Sequence, residues 1–158
     1  MTPASVTAVI LIHAASTWAM VGVIWFVQVV HYPLFASVTP GDAAAFAAYE
    51  KQHTTLTGFV VAPLMFAELF ATVGLLLLMP TGVSRWLLWA GAATVAINWG
   101  STWLLQVPQH GKLTAGFDAA AHATLVNTNW IRTVAWTAHG LIAAAIVWQW
   151  ANRPTLAA

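Results

Sequence analysis

Four apolar runs of roughly twenty residues, at about 6–30, 55–79, 86–105 and 133–150, restrict this chain to very few folds. A hydrocarbon core about 30 Å thick is crossed by roughly 20 helical residues. In lipid every backbone N–H and C=O must be satisfied within the protein, so helices are the conformation open to such runs. Only five Lys/Arg and four Asp/Glu occur in 158 residues, 60% of the chain is hydrophobic, and mean hydropathy is +0.77. That is too little charge to clothe a soluble surface. The expected fold is therefore all-α, an integral membrane four-helix bundle of up-down-up-down topology, formed by one transmembrane domain over 1–158.

Composition excludes several function classes. A net charge of +1 offers no electrostatic footprint for nucleic acid. The absence of cysteine removes disulfides, thiolate metal sites and thiol nucleophiles. No basic segment precedes the first run, which is about twice the length of a signal-peptide core, so it reads as a retained helix.

Punctuation between the runs sets the topology. Pro80-Thr81-Gly82 makes a tight turn, so the second and third runs are expected as antiparallel neighbours. Thr39-Pro40-Gly41-Asp42 stops the first run, with Asp42 the expected N-cap of the second helix, and Asp118 after Gly116-Phe117 plays that part for the fourth. Both of these helices then begin outside the lipid. Pro63 removes a backbone donor inside the second run, where a kink is expected. Arg85 and Arg153 lie on the side of the termini, and Lys51 and Lys112 opposite, beside Asp42, Glu50 and Asp118. Basic residues balance, and the acids favour cytoplasmic termini. Trp86, Trp89, Trp148 and Trp150 suit one interfacial belt, and Trp25, Trp103 and Trp130 the other.

Polar residues are rare enough here that each marks a place where lipid solvation was overridden. At 1.5 Å per helical residue they sort into three depths. The outermost layer holds Gln28, His31, Tyr32, Glu50, His53, Gln106, His110, Asn127, Asn129 and Arg132. Glu50-x-x-His53 shares one helix face, the spacing by which di-iron bundles present two ligands inward. A second copy is missing, Asp118-x-x-x-His122 being the nearest substitute; His122, on an Ala-rich helix start, reads as ordinary surface. His110, between Pro108 and Gly111, reads as a loop residue, and Glu50 beside Lys51 is compatible with a solvated face. Arg132 needs an anion or carbonyls, and Asn129 one turn earlier points the same way. The middle layer holds Glu68, Asn98 and His139. A carboxylate at that depth must be protonated or paired, with His139 the natural partner and Asn98 a bridge. His13 stands alone in the innermost layer, roughly 9 Å along its helix.

Two resemblances follow from short strings. Gln28-Val29-Val30-His31-Tyr32-Pro33, Pro63 with Glu68, Gln106-Val107-Pro108-Gln109-His110 and Asn129-Trp130-Ile131-Arg132-Thr133 together resemble small bacterial four-helix integral membrane proteins, themselves similar to the anthrone-oxygenase-like group. The resemblance implies a bacterial inner-membrane location and oxidation of a lipophilic substrate, and it carries over no catalytic residue. Leu11-Ile12-His13 followed by Trp18 is similar to the first helix of small haem-binding membrane oxidases.

Three functions are compatible with these residues. In the first, His31, His53, His110 and Glu50 bind a transition metal (iron, copper or zinc), a donor set of imidazole and carboxylate that suits those ions. Gln28, Tyr32, Gln106 and Asn129 would then support the cofactor, Glu68, Arg132 and His139 would serve catalysis, and a lipophilic small molecule would enter from the bilayer as substrate of an oxidoreductase. In the second, His13 or His139 is an axial ligand of a b-type haem. In the third, the polar layers only lock helices together in a non-catalytic accessory subunit. A homo-oligomer or a larger membrane complex is compatible with the many small residues suited to helix packing.

Overall fold

The computed structural model describes residues 2–38 and 40–154, so Thr39 of the first stop signal lies outside the described residues. Within them the regular structure is all helix, without a strand, and forms four rods joined by turns. We label them α1 (Pro3–Ser37), α2 (Ala43–Leu78), α3 (residues 85–113) and α4 (Ala119–Ala151). Their ends follow from local chemistry. Thr2 caps α1, whose first residue is Pro3, a position where a missing N–H costs nothing. The Asp42 carboxylate accepts from Ala45 N, and that of Asp118 from Ala120 N and Ala121 N. Each such cap contributes about 1 kcal/mol. α2 runs unbroken through Pro63 and ends at Met79 in the left-handed conformation. In the following turn Gly82 has φ +89°, and a Cβ there would meet Arg153 Cβ at 2.8 Å. Only glycine fits.

α1 and α3 each contain one widened π turn, Val27–His31 and Thr102–Gln106. In both, the turn ends two residues before a proline, Pro33 or Pro108. A proline ring crowds the carbonyl four residues back and offers no N–H. The backbone answers by closing the wider ring instead, Tyr32 N–H to Val27 O and Val107 N–H to Thr102 O. Sequence reading by straight helices missed both turns.

The core alternates apolar and polar layers. One apolar layer joins Ile10, Leu75, Val83, Leu88 and Ile146. A central one joins Met20, Val21, Ile24, Met65 and Trp136. A third joins Val27, Tyr32, Phe35, Phe46, Leu113, Ala121 and Leu125. The start of α1 thus lies with the end of α2, the start of α3 and the end of α4. Outward the pattern inverts that of a soluble protein: Phe59, Phe70, Leu77, Trp86, Leu104, Leu141 and Trp148 are exposed, while Glu50, Glu68, Asn98 and His139 are fully buried.

α1, α2 and α4 are each long and apolar enough to cross a membrane. α3 does not reach that standard, because Trp86, Trp89, Asn98, Trp99, Trp103 and Gln106 stand where aliphatic residues would raise its hydropathy. The expected span at 86–105 is thus a helix, but its composition alone does not qualify it.

Candidate functional site: two buried histidine–carboxylate clusters

Along the rods the first cluster falls between the central apolar layer and the Phe35–Phe46–Leu113 layer. α2 delivers Glu50 and His53 from one face, one turn apart. α3 delivers His110, which is helical, not a loop residue, because Val107–Leu113 continues the rod past Pro108. The donor atoms of Glu50, His53 and His110 all lie within 4.8 Å of one another. His110 Nδ1 donates to Glu50 Oε1 at 2.5 Å, and the Tyr32 hydroxyl meets His110 Nε2 at 2.9 Å. Glu50 is 0% exposed, so the solvated face that Lys51 suggested is not where its carboxylate sits.

His31 stands behind the group. Its Nε2 lies 2.9 Å from His53 Nδ1, which also faces Thr57 Oγ1 at 3.0 Å. Those contacts leave His53 Nε2 for a ligand, and they fix the ring as outer-sphere hydrogen bonds fix metal-ligating histidines. Gln28 is buried and ties α1 to α4: its carbonyl accepts from Asn129 Nδ2 at 2.9 Å, and its amide donates to Val126 O at 3.2 Å. Gln106 donates to Thr128 Oγ1 at 3.2 Å. Arg132, 5% exposed, donates through Nη1 to Asn129 Oδ1 at 3.3 Å, and its Nε has no hydrogen-bond partner among the described residues. His122 bonds the carbonyl of Tyr32 at 2.8 Å and stays outside the donor group.

An apolar cavity of about 510 Å³ opens beside this cluster, lined by Ile24, Met65, Phe66, Trp99 and Trp103, with His53, His110 and Arg132 on its polar wall. A second cleft of about 710 Å³, between α1 and α2, reaches His31 and His53 from the other side.

The second cluster lies one apolar layer deeper. Glu68 Oε1 stands 2.7 Å from His139 Nε2 and accepts from Thr72 Oγ1 at 2.8 Å. Two expectations need correction here. Asn98 does not bridge the pair: neither of its polar atoms has a partner among the described residues, and Thr94, one turn earlier, holds His139 Nδ1 at 2.6 Å instead. Nor does His13 form a layer of its own. Because α1 begins at Pro3, His13 sits about 15 Å along the rod, and its ring meets that of His139 edge to face at 5.0 Å. Rings in contact leave no gap for a porphyrin plane between His13 and His139.

Comparison of the chain with protein-family models, with curated proteins and with solved structures finds no match. The side chains themselves therefore carry the functional reading.

Proposed function

We propose that this protein is an integral membrane bundle of four spans, up-down-up-down, that binds a transition metal at Glu50, His53 and His110 and acts on a lipophilic molecule held in the adjoining cavity. The observation that carries the reading is the meeting of three donor atoms from two rods, those of Glu50 and His53 on buried residues and that of His110 on a half-buried one, at the polar wall of an apolar cavity. Imidazole and carboxylate without thiolate suit iron, zinc or copper. The exposed apolar faces of all four rods, Trp86, Trp103 and Leu104 of α3 among them, support contact with lipid along the whole bundle.

Within the site the protein's own groups have distinct parts. Glu50 orients His110 through Nδ1, and His110 Nε2 would exchange the Tyr32 hydroxyl for the metal; His31 and Thr57 orient His53, and the Phe35–Phe46–Leu113 layer packs beside the group. Arg132 presents a cation to the cavity, suited to a polar head on a greasy substrate. Bound iron or copper would supply electron transfer there, making the protein an oxidoreductase of lipophilic substrates.

The test is metal analysis and visible spectroscopy of the full chain purified in detergent, with His53→Ala and His110→Ala beside the parent. A stoichiometric metal that either substitution depletes supports the site. Stoichiometric haem would select the haem reading. Neither metal nor haem would leave the clusters as helix-locking networks, and the accessory-subunit reading would replace this one.

A further inference from the structure

The deeper cluster has a geometry that hydrogen bonding among its own members does not explain. We propose that His13, Glu68 and His139 form a second transition-metal site, for a divalent first-row ion such as iron(II) or zinc(II), independent of the one at Glu50, His53 and His110.

The tautomer of His139 can be read from its neighbours. Thr94 Oγ1 lies 2.7 Å from Gly91 O and 3.3 Å from Ala90 O, so a backbone carbonyl stands ready to take its single hydrogen. With the hydrogen so placed, Thr94 Oγ1 accepts from His139 Nδ1–H across their 2.6 Å contact, and this is the tautomer proposed. That leaves a bare lone pair on His139 Nε2, aimed into the cluster. It stands 2.7 Å from Glu68 Oε1, yet off the line of a hydrogen bond, and Nε2 counts among the buried atoms without a hydrogen-bond partner. Two lone pairs so close repel unless a cation lies between or beside them. Glu68 Oε2 and His13 Nδ1 also have no partner among the described residues, and Asn98 adds an unpartnered amide on the same face of α3 as Thr94.

Native interiors leave few buried polar atoms unpaired. Here the unpaired atoms are clustered and their residues, His13, Glu68 and His139, are at most 1% exposed. They come from α1, α2 and α4, and their donor atoms lie within 4.8 Å of one another. Bonds of about 2.1 Å set ligand separations of roughly 3–4 Å around an ion, so small side-chain rotations close the rest. Two histidines and one carboxylate on one side of an ion, with other positions open, is the donor set of non-haem iron(II) and of zinc. Thr94 on His139 and Thr72 on Glu68 supply the outer hydrogen bonds that such ligands require.

Cobalt(II) is a suitable probe, because its visible bands report nitrogen and oxygen ligation. The full chain, purified in detergent and stripped by chelator, is titrated with cobalt(II) alone. Binding is followed by absorbance and helix content by circular dichroism. His53→Ala/His110→Ala protein should retain one equivalent, and adding Glu68→Ala should remove it. Thr94→Val, which touches no donor atom, should weaken that equivalent about tenfold with helix content intact, a change that a merely structural hydroxyl would not produce. The proposal is overturned if folded His53→Ala/His110→Ala protein binds no cobalt, or if folded Glu68→Ala protein binds as much as the parent. Should the first site be the one that fails, the parent itself binds a single equivalent, lost on Glu68→Ala and kept on His53→Ala.

Discussion

Nδ1 of His110 lies 2.5 Å from Oε1 of Glu50, although sixty residues separate them in sequence. The pair links α2 to α3 where the cavity opens, and it occupies only half of the carboxylate. Oε2 of Glu50 is buried without a partner among the described residues. A group that joins two rods and still holds an oxygen in reserve combines packing with ligation, and substitutions separate the two.

Glu50→Ala should lower stability by about 1–3 kcal/mol, the cost of leaving a largely buried imidazole N–H unpaired. Glu50→Gln keeps the shape and the hydrogen bond but not the charge. It should unfold near the parental temperature while binding metal about 10- to 100-fold more weakly. Thermal unfolding in detergent beside a metal titration measures both, and equal metal affinity in the parent and Glu50→Gln would refute the ligand role.

Pro33 can be tested the same way. Pro33→Ala restores a backbone N–H and relieves the crowding behind the Val27–His31 turn, so that turn should tighten toward an α-helix. Loss of the extra residue in the turn rotates His31 and Gln28 by about 100° relative to the residues that follow. Stability should hold or rise, and metal affinity at the first cluster should fall about tenfold. Unchanged affinity would mean that the π turn positions nothing.

Much of this arrangement is legible in the sequence, and the exceptions have physical causes. Run length and charge poverty specify the helices, and Asp42 and Asp118 specify two of their starts. Glu50-x-x-His53 specifies a shared face, because three residues make nearly one turn. What single-helix reasoning cannot supply is axial register between helices. A helix counted from residue 6 puts His13 in a layer of its own, one that begins at Pro3 does not, and a few residues of offset separate a lone histidine from one touching His139. Asn98 has the depth of the Glu68–His139 pair but not the reach. Thr94, one helical turn before Asn98, is the α3 residue whose side chain meets His139. Pro108 and Gly111 read as loop punctuation for His110, whereas a π turn let the rod continue.

Protons compete with metal for imidazole and carboxylate donors, so cobalt affinity at either cluster should fall as pH falls and recover as it rises. The sign follows from ligand chemistry: each donor must be free of its proton to coordinate. Titrations across mildly acidic to neutral pH, with release followed by absorbance, would measure it. Affinity that rises on acidification would exclude histidine ligation.

Gly140 tests whether close helix packing holds the deeper cluster together. A Cβ there would come 3.1 Å from Val21 Cγ2 and 3.5 Å from Trp18 Cζ2, so α1 approaches α4 only because this residue has no side chain. Gly140 is the residue after His139, and Trp18 and Val21 lie one to two turns beyond His13 on α1. Gly140→Ala asks Val21 to give by a few tenths of an ångström and should cost little. Gly140→Val adds volume that the contact cannot absorb, and overpacking of this kind typically costs about 1–3 kcal/mol. The added bulk would also push the His13 ring away from His139, so Gly140→Val should weaken cobalt binding at the deeper cluster and leave the Glu50–His53–His110 cluster unaffected. Thermal unfolding measures the stability effect, and cobalt titration reads the deeper cluster in the His53→Ala/His110→Ala background and the other cluster in the Glu68→Ala background. A Gly140→Val protein as stable as the parent would show that α1 and α4 do not depend on this contact.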